Sequence, residues 1–258
     1  MHPVRIPNAD TDALSKVPAV TLMFWVIKIL ATTVGETGGD ALSMTLKLGY
    51  FESSLIFLAF FVVALIAQVL SKQYRPVFYW AVVVATTTVG TTTSDYLDRT
   101  VGLGYVKSSA MLLCLVFVVL AAWRYSMGSI AFDHITSRKN EIFYWVTILV
   151  SNTLGTALGD FVATSTGLGF ERGAMIFSGL IACVAAAHFF TNLPDALMFW
   201  AAYILTRPLG ATLGDTLTKA HSEGGLELGR ITSSLVIAAA MVIIIALTYR
   251  HRERVQTT

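Results

Sequence analysis

Apolar runs and short polar breaks alternate along the whole chain, and this pattern predicts eight helices. The predicted spans are 18–42, 52–71, 76–97, 106–125, 141–162, 172–190, 195–217 and 230–249. Several of them are close to the roughly 20 residues that an α-helix needs to cross the hydrocarbon core of a bilayer. The pattern therefore predicts an all-α membrane protein with about eight transmembrane helices.

A repeated set of residues divides these helices into pairs. Each odd-numbered helix carries an aromatic residue followed by Trp, then a Gly ten residues after the Trp, then an Asp five residues later. The aromatic pairs are Phe24–Trp25, Tyr79–Trp80, Tyr144–Trp145 and Phe199–Trp200. The glycines are Gly35, Gly90, Gly155 and Gly210, and the aspartates are Asp40, Asp95, Asp160 and Asp215. Four identical offsets predict four copies of one two-helix unit.

The repeats are predicted to form one transmembrane domain over 18–250, between an N-terminal tail at 1–17 and a C-terminal tail at 251–258. Within the domain, the repeats run over about 18–71, 76–125, 141–190 and 195–250. A second Gly follows the motif Asp by nine residues in the first three repeats, whereas in the fourth it comes about five residues late. We therefore expect an insertion within TKAHSEGGLE. Two helices per repeat make the four repeats parallel, which predicts a pseudo-symmetric bundle.

Composition and charge agree with a membrane location. The chain is 55% apolar and 13% charged, against about 25% charged in soluble domains. The tails and the loops between repeats hold more Lys and Arg than the loops within repeats, which predicts that both termini are cytoplasmic. A net charge of +2 does not favour nucleic acid as a partner. Cys114 and Cys183 lie in apolar runs and are expected to be buried thiols. Membrane lipid is the expected partner. The sequence leaves open whether the chain forms a homo-oligomer.

The motif acids lie at depths where a charge is costly. If the aromatic pairs mark the cytoplasmic interface, each motif Gly lies about 15 Å deeper and each Asp about 22 Å deeper. Glu36 would then lie at the midplane. A charge at the centre of a membrane helix costs at least roughly 2.5–3.5 kcal/mol. The acids are therefore predicted to face a polar centre built from the first helix of each repeat, with the second helices outside.

The residue types in this centre favour a hard cation as the ligand. Carboxylates, an amide and many Thr hydroxyls are oxygen ligands of the kind that Mg²⁺, Ca²⁺ and Mn²⁺ prefer. The candidate metal ligands are Glu36, Asp40, Asp95, Asn152, Asp160 and Asp215. The motif glycines are expected to allow close helix packing or a helix break. None of the motifs contains His or Cys, and His134, His188 and His221 are interpreted as interfacial or solvated.

Two basic residues lie well inside the predicted spans rather than near their ends. Arg207 lies near the midplane, is followed by Pro208, and is expected to pair with the acids or to gate the site. Pro208 is expected to break or bend its helix. Lys28 is expected to extend its ammonium to the cytoplasmic edge. Five acids against these two bases predict a net negative centre that attracts cations.

At these motifs the sequence resembles a family of bacterial multi-pass membrane proteins built from a repeated unit with an xGD core. The strings GTALGD, GATLGD and GLGF are its most specific part. A weaker similarity links the chain to cation transporters with a Glu-x-Gly-Asp signature, which carry manganese, calcium and protons. Here 36-ETGGD-40 has one residue more than that signature, and the other repeats lack the Glu. The resemblance implies a location in the bacterial inner membrane and, by analogy, cation transport.

The leading hypothesis is a transporter, and more specifically an exporter, of a hard divalent cation. Mn²⁺ is favoured, Mg²⁺, Ca²⁺ and Fe²⁺ remain open, and the ion is a substrate rather than a cofactor. One alternative is a proton-coupled carrier of a small organic solute, in which Arg207 binds an anionic group. Another alternative is a non-transporting membrane scaffold. An enzyme is not expected, because the sequence has no HExxH motif and no Gly-x-Ser-x-Gly elbow.

Overall fold

The computed structural model describes residues 16–257 except 72, 131–134 and 136, and describes side chains as far as 249. Most of the predicted N-terminal tail and His134 therefore lie outside the described residues. The described residues form eight long helices and no strand. The helices are α1 (Leu22–Asp40), α2 (Tyr50–Leu70), α3 (Pro76–Asp95), α4 (Tyr105–Met127), α5 (Arg138–Asp160), α6 (Phe170–Phe190), α7 (Asp195–Thr218) and α8 (Arg230–Thr257). The eight helices and their division into pairs are as predicted, although α8 continues past the predicted span end at 249.

The odd-numbered helices remain α-helical through the glycine-rich motifs. In the first three repeats the helix widens into a π-helical turn only after the motif Asp, at Ala41–Thr45, Tyr96–Thr100 and Phe161–Ser165. In the fourth repeat α7 continues without interruption through Pro208 to Thr218. The expectation that Pro208 or the motif glycines break a helix is therefore wrong for these residues.

Backbone conformation supports the alignment of the fourth repeat. Gly102 and Gly167, two residues before the second Gly of their repeats, have φ values of 78° and 70°. The equivalent residues in the first and fourth repeats are Lys47 and Glu227, with φ values of 58° and 56°. A left-handed conformation at a non-glycine residue is uncommon. Its recurrence at Glu227 places the five extra residues of the fourth repeat between Asp215 and Glu227, as the sequence predicts.

The four odd-numbered helices close into a ring, in the order α1, α3, α5, α7 and back to α1. Each even-numbered helix packs outside this ring, on the inner helix of the following repeat. Thus α2 packs on α3, α4 on α5, α6 on α7, and α8 on α1. The last repeat thereby closes on the first, and the bundle has pseudo-four-fold symmetry.

The motif glycines make this ring tight. Each one faces the residue that lies three positions before the motif Gly of the next repeat. Gly35 contacts Thr87, Gly90 contacts Asn152, Gly155 contacts Arg207 and Gly210 contacts Thr32. A Cβ atom at any of these glycines would clash with its neighbour. The glycines therefore allow close helix packing, the first of their two expected roles.

The outer helices expose apolar surfaces. Val63 on α2, Phe117 on α4, Met175 on α6 and Leu235 on α8 are all more than half exposed. Five helical segments are long and apolar enough to cross a membrane: the four outer helices and the segment Arg138–Ser165. Cys114 and Cys183 are exposed on the outer helices, so the expectation that they are buried is wrong.

The end of the ring opposite the acids is filled with aromatic side chains. Phe24, Trp80, Trp145 and Trp200 are buried there, and the Tyr79 and Tyr144 hydroxyls lie 2.7 Å apart. Ring contacts join Phe24 to Trp80, Tyr79 to Trp145 and Tyr144 to Trp200. Apart from the partly exposed Trp25, the aromatic pairs are buried inside the protein. The aromatic residues form a hydrophobic core that closes this end of the ring.

Candidate functional site

A polar axis runs through the centre of the ring, and equivalent residues of the four repeats form its layers. The layer one residue after the motif Gly consists of Glu36, Thr91, Thr156 and Ala211. The layer four residues further along consists of the four motif aspartates, all of which are buried. Polar side chains on a buried axis need partners within the protein, and the contacts in each layer show which residues act together.

Arg207 occupies the centre of the axis. Its guanidinium is fully buried, and one terminal nitrogen lies 2.9 Å from Glu36 Oε2. The same nitrogen donates hydrogen bonds of 2.6 Å to Thr91 Oγ1 and Thr156 Oγ1. Arg207 thus connects all four repeats, because its partners belong to the first, second and third. Its predicted pairing with an acid is present, and the acid is Glu36 rather than a motif Asp.

Lys28 and Asn152 lie nearer the aromatic end. The Lys28 ammonium is 3.5 Å from Asn152 Oδ1 and lies 4.2 Å above the centre of the Tyr203 ring. The Asn152 amide donates to Thr86 Oγ1 at 2.9 Å. Lys28 is fully buried, so the expectation that it reaches the cytoplasmic edge is wrong. Asn152 precedes its motif Asp by eight residues, about 12 Å along a helix, so it does not join the acids.

The interface between α7 and α1 brings two motif aspartates together. Lys219 lies between them, with its Nζ 2.9 Å from Asp40 Oδ2 and 3.2 Å from Asp215 Oδ1. Arg230, the first residue of α8, approaches Asp40 Oδ2 at 3.5 Å. Burial alone would lower the pKa of the Lys219 ammonium, but the carboxylates of Asp215 and Asp40 raise it well above its usual value. Lys219 is therefore a charged partner of both acids.

The interface between α3 and α5 has the same arrangement with a different base. Arg99 lies 3.0 Å from Asp95 Oδ1 and 3.4 Å from Asp160 Oδ2. Its side chain is 31% exposed, compared with 6% for Lys219. Arg99 follows Asp95 by four residues, as Lys219 follows Asp215. Each base therefore joins the Asp of its own repeat to the Asp of the next.

Three carboxylates meet at the α7–α1 interface. Glu36, Asp40 and Asp215 are buried, and each offers an oxygen within 4.8 Å of the oxygens of the other two. Asp40 Oδ1 is buried without a hydrogen-bond donor among the described residues. Divalent ions such as Mg²⁺ and Ca²⁺ bind oxygen at about 2.0–2.6 Å. Ligand atoms on one such ion therefore lie within about 5 Å of one another. The separation of these three carboxylates fits that requirement.

The charge balance differs from the sequence-based prediction. Five acids lie on the axis, and the structure places five bases against or near them. The bases are Lys28, Arg99, Arg207, Lys219 and Arg230. The predicted negative excess is therefore wrong, because it assigns Arg99, Lys219 and Arg230 to the loops. The sequence spacing could have revealed Arg99 and Lys219. Each follows a motif Asp by four residues, and this separation favours an ion pair on a helix.

The fold and the site together define a class: an all-helical protein of four parallel repeats that enclose a buried polar axis. The comparison with protein families identifies the repeat. Residues 23–74, 78–129, 143–193 and 198–254 each match the family described as Repeat of Unknown Function (DUF347). The chain belongs to this family, and the internal repeat is confirmed. No curated protein and no solved structure matches the chain.

Proposed function

We propose that the protein is an integral membrane transporter of a hard divalent cation, with Mn²⁺ as the favoured ion and export as the favoured direction. The observation that carries this proposal is the convergence of Glu36, Asp40 and Asp215 in a buried position. Their oxygens are hard ligands and suit Mn²⁺, Mg²⁺ or Ca²⁺ better than copper or zinc. The ion enters as substrate, and these three carboxylates bind it.

A location in the bacterial inner membrane is part of the proposal. The outer helices expose apolar side chains along their length. Contiguous exposed apolar surface on a monomer marks a contact with lipid or with another protein. The four inner helices carry the polar residues of the axis, and the outer helices surround them. All eight helices would then cross the bilayer, with both termini in the cytoplasm.

The two ends of the axis differ in how accessible they are. In alternating access, a site is reached from one side of the membrane at a time. At the acid end, Arg99 and Arg230 are both partly exposed beside the aspartates. At the other end, the aromatic core closes the ring. An ion bound by Glu36, Asp40 and Asp215 would therefore reach one side directly and the other side only after the ring rearranges. Arg207 would stay paired with Glu36 and keep the centre of the axis neutral while the ion is absent.

A second candidate is a proton-coupled carrier of a small organic solute. Lys28 and Arg207 are both buried on the axis, and Glu36 is the one carboxylate bonded to either of them in the described part of the chain. A buried cation without a counter-charge is costly. The anionic group of a solute would supply one. This candidate predicts that Lys28 and Arg207, rather than Asp40 and Asp215, determine the substrate.

The test is ion flux into proteoliposomes that contain a metal-sensitive dye. We expect the wild type to carry Mn²⁺, and Asp215→Asn to lower the rate at least about 100-fold, because even supporting residues of a metal site affect affinity by roughly 10–100-fold. Asp98→Asn is the matched control. Asp98 is buried near the same end of α3 but bonds Ser94 rather than the ring of aspartates. Its substitution should leave the flux within about threefold.

Two outcomes would reject the cation transporter. If the wild type carries no metal ion, the carrier of organic solutes becomes the better proposal. If Asp215→Asn folds and carries Mn²⁺ at the wild-type rate, Asp215 is not a ligand, and a structural role for the aspartates is the better explanation.

A further inference from the structure

Lys219 occupies the space in which the proposed cation would bind. Its ammonium lies 2.9 Å from Asp40 and 3.2 Å from Asp215, and these are two of the three acids in the proposed site. A lysine ammonium is a compact point charge on a flexible four-carbon stem. It can therefore take the place of a metal ion between two carboxylates and also leave that place without movement of the backbone.

We propose that Lys219 is a tethered competitor of the transported cation: its ammonium fills the site between Asp40 and Asp215 when no ion is bound, and it withdraws when an ion enters. This inference rests on the proposed function. It assigns to Lys219 the control of occupancy, while Glu36, Asp40 and Asp215 remain the ligands. The site would never be left as a cluster of unpaired buried acids, which is strongly destabilising.

The α3–α5 interface shows why the exchange is confined to α7–α1. There Arg99 joins Asp95 and Asp160, and Thr156 on α5 stands where α1 has Glu36. A guanidinium is always charged and has five donors in a fixed plane, so it holds two carboxylates more firmly than an ammonium does. The α3–α5 pair is thus a closed ion pair with no third acid. The α7–α1 site has Glu36, a smaller base and an Asp40 oxygen without a donor among the described residues. Asp95 Oδ1 at α3–α5 also lacks a well-aligned donor, but it lies 3.0 Å from Arg99 Nε.

Local contacts hold the backbone of Lys219 in place. Lys219 directly follows α7 and has an extended conformation, with φ −73° and ψ 159°. Its N–H donates to Asp215 O at 2.9 Å, and its carbonyl accepts from Glu227 N at 2.9 Å. Gly225 packs so closely on this carbonyl that a Cβ atom would clash with it. These contacts belong to the insertion of the fourth repeat, whereas Arg99 lies within a π-helical turn.

The experiment measures Mn²⁺ binding to the purified full chain in detergent by titration calorimetry. Removing the competitor with Lys219→Gln should tighten binding at least about tenfold, because a site blocked in nine of ten molecules loses that factor in apparent affinity. Lys219→Arg should weaken binding at least about tenfold, since the guanidinium holds both acids. The matched control is Arg99→Lys, which changes the other base and should leave Mn²⁺ affinity within about threefold.

The outcomes separate this inference from the proposed function. If the wild type binds Mn²⁺ and both Lys219 variants bind it equally well, the cation site stands and the role of Lys219 is refuted. If neither the wild type nor Lys219→Gln binds any Mn²⁺, both proposals fail together. Lys219→Arg keeps the positive charge against the acids, so it still provides a test if Lys219→Gln does not fold.

Discussion

The α7–α1 and α3–α5 interfaces are built on the same plan but hold different chemistry. In both, a base four residues after one motif Asp reaches the motif Asp of the next repeat. Both pack a motif Gly against the neighbouring helix. Only the α7–α1 interface adds Glu36. Of the four repeats, only the fourth, which contains α7, has the inserted loop. The repeat thus preserves the packing at each interface, whereas single substitutions and one insertion create a distinctive site at α7–α1.

The other two interfaces lack the bridging base. The residues four positions after Asp40 and Asp160 are Met44 and Thr164. Bases therefore alternate around the ring, and each of the two bases serves two aspartates. This alternation reduces the pseudo-four-fold symmetry of the helices to a two-fold pattern of charge. The two bases also differ, since one is Lys219 and the other is Arg99, and this difference removes the two-fold symmetry as well. The α7–α1 interface is therefore the one that we propose to bind an exchangeable ion.

The largest expected effect comes from removing one acid at each interface. Asp40→Asn should weaken Mn²⁺ binding at least about 100-fold, because it removes a proposed ligand. Asp160→Asn should change affinity by less than about threefold, since Asp160 pairs with Arg99 and lies outside the three-acid cluster. Calorimetric titration of both variants with Mn²⁺ measures the difference. Equal losses would show that the two interfaces form one site and do not differ in function.

Spacing predicts the four inner helices well because the same side chains carry the packing and the polarity. It does not predict whether these helices close as a four-fold ring or as two pairs. The Trp–Gly–Asp offsets locate α1, α3, α5 and α7 and their common polar face. The partners of the outer helices cannot be predicted, because α2, α4, α6 and α8 are apolar on most sides and any inner helix would accept them. Only the folded chain shows that each packs on the following repeat.

The site is predictable in part for a similar reason. Buried acids are visible in a sequence, since Glu36 and the four aspartates interrupt apolar runs. The bases that neutralise them lie at helix ends or in loops, where a basic residue is usually solvated. Arg99 and Lys219 therefore resemble loop residues, although their spacing from Asp95 and Asp215 is informative. The burial of Lys28 is not visible in the sequence, because it depends on contacts with Tyr203 and Asn152 across the ring.

A medium effect is expected from the packing that the two interfaces share. Gly210→Ala and Gly90→Ala should each destabilise the protein by about 1–3 kcal/mol, because the added Cβ overlaps atoms of the next inner helix. Gly38→Ala is the control on another inner helix, α1. Its nearest neighbours lie 3.9 Å from the added Cβ, so improved helix propensity should raise stability by up to about 1 kcal/mol. Thermal unfolding in detergent, followed by tryptophan fluorescence, measures each change.

Whether each Gly→Ala substitution raises or lowers stability decides if the two interfaces share their packing. If Gly210→Ala were stabilising like Gly38→Ala, the helices would have room to separate at α7–α1, and the two interfaces would differ in packing as well as in charge. If both Gly210→Ala and Gly90→Ala destabilise by similar amounts, the packing is shared and the difference between the interfaces lies in their charged residues.

The smallest expected effect concerns the backbone near each interface. The left-handed position is occupied by Lys47 and Glu227 in the first and fourth repeats but by glycines in the second and third. A non-glycine residue in this conformation costs roughly 1–2 kcal/mol, and glycine recovers only part of that because it loses more entropy on folding. Lys47→Gly should therefore stabilise the protein by about 0.5–1 kcal/mol, measured by the same thermal unfolding.

The reverse exchange completes this comparison. No atom lies within 4 Å of the position that a Cβ atom would take at Gly102, so Gly102→Lys should destabilise the protein through its backbone conformation alone, by about 0.5–1 kcal/mol. Leu46→Gly is the control beside Lys47, because Leu46 has a φ of −83° and should lose stability on substitution. If Lys47→Gly and Leu46→Gly destabilise equally, the left-handed conformation of Lys47 carries no strain. The α7–α1 and α3–α5 interfaces would then differ in their charged residues and in the inserted loop of the fourth repeat.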